Sequence, residues 1–146
     1  MTKRTQIVQA LAEKFKTIDG STPYTIDLKN QCFAKLKFWD EINDFPSVYI
    51  TPGTELREYH PADFAWGMLG VCVKVYCKSE DGAQEQLEQL LADLETCTDL
   101  NRQLVYDTTN GYTTTEILID SITTDEGLLA PYAVGEINLQ VRYQIM

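Results

Sequence analysis

Residues 132–146 read YAVGEINLQVRYQIM, and the fold turns on how this stretch is understood. From Ile137 onward the odd positions are apolar: Ile137, Leu139, Val141, Tyr143 and Ile145. The even positions hold Asn138, Gln140, Arg142 and Gln144. A period of two marks a strand with one face on a core and the other on water or a partner. Termini usually fray unless something ties them down, so this strand is expected to be built into the sheet.

Working outward, residues 67–78 repeat the pattern, with Leu69, Val71, Val73, Val75 and Cys77 on one face. This predicts a central strand. Two segments have helical spacing instead. In Arg4–Ile18 the stripe is Ile7, Val8, Leu11, Phe15 and Ile18; in residues 82–95 it is Leu87, Leu90, Leu91 and Leu94. Asp81 with Gln84 three residues on has the form of a capping box, and Glu85 suits the positive end of the second helix.

The remaining segments are connections and shorter strands. Asn110-Gly111 between LVYDTT and YTTTEILI predicts a hairpin with a type I′ turn, which needs positive φ at both central residues. Another turn, near TDEG, leads through Pro131 to the closing strand. YTIDLK (24–29) and FPSVYIT (45–51) read as short strands, with Pro46 tolerable at a first position or an edge. PGTELREYHPADFAWG (52–67) is expected to be a long loop or an extended hairpin. Residues 30–44 fit helix and strand equally: Phe33, Leu36 and Trp39 suit the first, Cys32, Ala34, Leu36 and Phe38 the second. Together these elements predict an α+β fold, a mainly antiparallel β-sheet with two α-helices packed on one face, in a single domain over residues 1–146.

The chain carries 12 Lys and Arg against 22 Asp and Glu, a net charge of −10. Residues 1–78 hold ten cations and nine carboxylates; residues 79–146 hold two cations and thirteen carboxylates. A chain so charged is ill suited to gripping nucleic acid, which takes clustered Lys and Arg. The opening residues are too interrupted by Gln, Glu and Lys for a signal peptide, and no run approaches membrane-spanning length. A cytoplasmic origin without membrane association is therefore expected.

No constellation of catalytic groups converges. Phosphate-cradling glycine loops and a GxSxG elbow are absent. The single histidine, His60, sits in a proline-rich segment with no evident partner. Pairs such as Asp40/Glu41, Glu80/Asp81 and Asp125/Glu126 are too numerous to single out, and caps and turns account for most of them. Cys32, Cys72, Cys77 and Cys97 have no metal-ligand spacing and are expected to be buried free thiols. Neither catalysis, a metal nor a cofactor is expected. Tyr59, Phe64 and Trp66 flank the 52–67 segment, where aromatics serve either as interface anchors or as packing for the loop. Arg57, Glu58, Tyr59 and Trp66 are the candidate contacts with another subunit or a partner.

The order of pieces carries a resemblance. A first helix is followed by FPSVYI, PGTELREY, a long apolar strand, a helix of the form AQEQLEQLLADLE, and the ending APYAVGEINLQVRYQI. Phe45-Pro46 before a strand and GEINLQVRY at 135–143 are its most specific parts. The chain resembles the tail terminator, or tail completion, proteins of long-tailed, siphovirus-type (lambda-like) bacteriophages. That resemblance implies a structural virion protein assembled in the host cytoplasm. It implies a hexameric ring that caps the tail tube, ends its polymerisation and presents a face to the neck or head-completion proteins. DNA would pass through the lumen without specific binding, and acidic walls would leave it free to slide. Two other readings suit the same sequence: a neck or head-completion connector, and an acidic monomeric inhibitor or nucleic-acid mimic.

Overall fold

A computed structural model describes residues 1–145. The period-two runs form the middle of the sheet. β3 (Phe64–Lys78) pairs antiparallel with β7 (Tyr132–Gln144) along its length, from Trp66 opposite Gln144 to Lys78 opposite Tyr132. On its other side β3 pairs antiparallel with β2 (Ser47–His60). β6 (Glu116–Thr124) flanks β7, again antiparallel, and the two-residue β1 (Cys32–Phe33) lies parallel to β2. The five-stranded order is β1-β2-β3-β7-β6. A two-stranded ribbon of β4 (Val105–Asp107) and β5 (Tyr112–Thr113) stands apart from it.

Both helices cover one face. α1 (Lys3–Phe15) begins with the Thr2 hydroxyl accepting from the Thr5 N–H at 3.2 Å, and it buries Ile7, Val8, Leu11 and Phe15. It packs beside β1, β2 and β4, whereas α2 (Ala83–Leu100) packs over β3, β7 and β6. Leu87, Leu90, Leu91 and Leu94 are fully buried against Leu69, Val71, Val73 and Val75 of β3 and Ile137, Leu139 and Val141 of β7. Each such side chain contributes about 1.5–3 kcal/mol when taken out of water. The helix also needs Gly135 beneath it: a Cβ there would lie 3.0 Å from Leu87 Cδ1 and 3.3 Å from Leu91 Cδ2.

Several sequence expectations change. The first helix stops at Phe15, and Ile18 is buried beyond its end. YTIDLK is no strand; it is a coil held by one bridge between Asp19 and Asp27 and by a carboxylate of α2, Asp93. The N-cap of α2 is Gly82, which has no side chain to offer, and Gln84 donates to Asp125 at 2.7 Å, so the capping box of Asp81 and Gln84 does not form. In the Asn110-Gly111 turn only Gly111 takes positive φ; Asp107 accepts from the Asn110 backbone N–H and Nδ2, giving a longer turn than type I′. Residues 52–67 are the extended hairpin of β2 and β3, turning at Ala62 and Asp63, both with positive φ.

Residues 30–44 are neither helix nor long strand. After β1 they cross the face of the sheet opposite the helices, with one 3-10 turn at Trp39–Glu41. The Tyr76 hydroxyl donates to the Lys37 carbonyl at 2.5 Å, and Ile42 packs with Tyr49 and Tyr76. Phe33 stacks on Tyr49, and Trp39 and Phe45 both lie against Tyr132. This strap gives the sheet's second face a small aromatic core at one end.

Candidate assembly surfaces

The four candidate contacts all lie on the distal half of the β2–β3 hairpin, but strand alternation divides them. Arg57 stands opposite Gly67 and Tyr59 opposite Ala65, positions of β3 that belong to the helix side. Glu58 stands opposite Trp66, on the other side. The first pair belongs to a hydrogen-bonded chain. Arg57 Nε donates to Glu55 Oε2 at 2.9 Å and its Nη1 to the Tyr59 hydroxyl at 3.4 Å, while the Tyr143 hydroxyl donates to Glu55 Oε1. The bonds to Tyr59 and then to Glu55 hold the guanidinium pKa above its ordinary value. Burial first, then the Glu55 carboxylate, pushes the Tyr143 phenol up. Tyr59 itself remains 64% exposed, a large ring with no cover.

On the opposite face Trp66 lies edge-on to Phe64, and the Arg142 guanidinium sits 4.8 Å above its ring. Glu58 reaches His60 at 3.2 Å. Further along, Glu136 of β7 accepts from Lys74 at 3.0 Å and from the Cys72 thiol at 2.9 Å, and these bonds lower its pKa. Cys72 is therefore half-buried on the outer face, unlike Cys32, Cys77 and Cys97 in the core; all four are free. Burial above all raises the Cys72 pKa to about 12. Among the described residues no group of three or more His, Cys, Asp or Glu stands close enough to hold a metal ion.

Two surfaces escaped sequence reasoning. The strap leaves Leu36 and Phe38 52% and 54% exposed, flanked by Lys35 and Lys37. The alternation of lysine with apolar residues in FAKLKFW was the available signal. The other surface is an acidic stripe on α2: Glu85 and Glu88 exposed, Glu95 half-buried, Asp99 exposed. Their spacing of three and four residues, with Ala92 between, sets them on one side of the helix. The sheet order gives the stripe its meaning. Residues 1–78 supply β1, β2 and β3, and residues 79–146 supply β7 and β6. The uneven charge of the sequence is thus laid out across the sheet, with the acidic half under α2 and along β6.

A family model described as the bacteriophage tail tube terminator protein matches residues 1–146. The chain belongs to the tail tube terminator family. It is 40% identical to the tail tube terminator protein of Escherichia phage T5, over 99% of this chain and 95% of that one. Its fold also resembles a chain from the virion of the native gene transfer agent particle, with a TM-score of 0.57 and 94% of each chain covered. At 8% identity that second likeness concerns the fold alone. Membership makes this a structural protein of the phage tail.

Proposed function

We propose that the protein forms a hexameric ring that caps the tail tube, ends tube polymerisation and offers its free face to the neck or head-completion protein. The whole chain acts as one domain, assembles in the host cytoplasm, and performs no catalytic step. DNA passes through the lumen without specific binding. The observation that supports this best is the 40% identity to a tail tube terminator across nearly the full length of both chains. Arg57, Glu58, Tyr59 and Trp66 contact a neighbouring subunit or the tube, since exposed aromatic and Arg side chains on an uncovered hairpin are the usual anchors of an interface.

The test is genetic and biochemical. Phage lacking the protein should fill heads with DNA yet make unjoined tails of uncontrolled length. Purified protein added to that extract should restore defined tails and their joining to heads. Particles that carry normal joined tails without the protein would overturn the proposal.

A further inference from the structure

Two long strand edges of the sheet have no partner among the described residues. β1 covers β2 only at Val48 and Tyr49, so the edge is open from Ile50 to His60. Pro52 and the irregularity between Pro52 and Glu55 interrupt it, leaving Glu55–His60 as its regular stretch. At the other side β6 pairs with β7 alone. Natural edges are usually blunted by lysine, proline or a covering element. β6, EILIDSITT, contains no lysine and no proline; its ladder with β7 has one irregularity, between Ile119 and Ser121, and Leu118 and Ile122 are 42% and 40% exposed. Such an edge invites another strand.

We infer that these edges are the joint between subunits: β6 of one copy pairs antiparallel with the Glu55–His60 stretch of β2 in the next, so that the sheet runs on from subunit to subunit. This rests on the ring reading above and names the surface that closes it. Strand direction allows it. β2, β3, β7 and β6 alternate in direction, each antiparallel to its neighbour. A copy laid alongside in the same orientation therefore brings its β2 against β6 as one more antiparallel pair. The repeated contact is head-to-tail, which closes into a ring when the rotation per step allows.

The presence of two open edges decides against the competing arrangement. Two β6 edges could also meet about a two-fold axis, and that pairing would be antiparallel too. It would leave the open β2 edge of each copy unpaired, and in a register centred on Asp120 it would set that carboxylate against its own copy. Like charges directly opposite are destabilising. Head-to-tail contact instead gives both open edges a partner and sets no residue against its own copy.

Backbone hydrogen exchange read by mass spectrometry, with particle mass measured on the same samples, tests this. The protein is compared free and assembled, alone in solution and on purified tail tubes. In the ring, amides of both Glu116–Thr124 and Glu55–His60 should slow by about tenfold or more, because their outward N–H groups gain partners. The double variant L118K/I122K, altering two exposed side chains, should stay folded and fail to assemble. A ring in which either segment keeps its free exchange rate overturns the edge pairing and leaves the ring reading intact. A two-subunit species protected at β6 alone overturns it in favour of the two-fold contact. Absence of any assembly, with or without tubes, overturns both.

Discussion

Asp93 is a carboxylate on the inner side of α2, 3% exposed. It accepts from the Thr25 N–H through both oxygens, at 3.0 Å each, and from the Ile26 N–H at 2.7 Å. These bonds tie a coil of no regular structure to a helix nearly seventy residues away. Replacing Asp93 with Ala removes the acceptor for two backbone donors and leaves a hole beside them. A hydrogen bond to a charged group is worth roughly 1.5–3 kcal/mol, less whatever water returns to the freed donors. The expected loss for D93A is thus about 2–4 kcal/mol, a large share of a total that is typically about 5–15 kcal/mol. D93N keeps one acceptor and the shape, and should lose about half as much. Urea unfolding followed by tryptophan fluorescence gives both values, and hydrogen exchange should show Thr25 and Ile26 losing protection before the sheet does. A D93A protein within about 0.5 kcal/mol of the parent would refute the reasoning, since surface changes commonly fall in that range.

Gly135→Val should lower stability by about 1–3 kcal/mol, the usual cost of overpacking, because the new atoms meet Leu87 and Leu91; an unchanged urea midpoint would show that α2 can ride up freely. Although burial works to raise the Asp125 pKa, its bonds from Leu129 N–H, Gln84 and Val134 N–H hold it below the ordinary value. A depressed folded pKa gives stability that is present above the unfolded value, near 3.9, and lost as pH falls through the folded one. The gap in urea midpoint between parent and D125N should therefore be widest near neutrality and shrink on acidification, and a gap that stays constant with pH would count against it. Alanine at Arg57, Glu58, Tyr59 and Trp66 together should raise the concentration needed for assembly by about tenfold or more while leaving a folded monomer; sedimentation at graded concentrations reads this directly, and unchanged assembly would move the contact elsewhere.

What could be read from the sequence was whatever a local period encodes. β3 and β7 announce themselves because every second residue enters the same core, and α2 because its leucines recur at three and four. Several failures share one cause: a side chain with a good local use was taken by another partner. Gln84 could close a capping box with Asp81, yet Asp125 claims it. Asn110 could sit in a two-residue turn, yet Asp107 holds it. Asp93 reads as part of a solvated helix face and nothing nearby says that residues 25 and 26 will need it. The strap fails differently, since its apolar residues pack against a sheet face instead of along a period of their own. For the candidate contacts the answer was partly legible, because alternation in LREYH already separates Arg57 and Tyr59 from Glu58 once the segment is known to be a strand.

Charge placement bears on the proposed passage of DNA as well as on the joint. A channel that lets phosphates slide must lack uncompensated cations, because each one that neutralises a phosphate releases a counterion and holds the strand. The central strands carry three cations on the face opposite the helices, and each is already engaged. Lys74 is paired with Glu136, Arg142 lies over Trp66, and Lys78 lies 5.0 Å from the centre of the Tyr132 ring. Asn138 and Gln140 share that face as neutral amides. On the helix face the acidic stripe of α2 repels phosphate outright. Lys35 and Lys37 sit out on the strap at the β1–β2 side, Lys35 5.3 Å from the centre of the Phe33 ring. Because every subunit carries a net charge of −10, raising salt should strengthen subunit association by screening that mutual repulsion, and sedimentation in graded salt that shows weaker association would refute this.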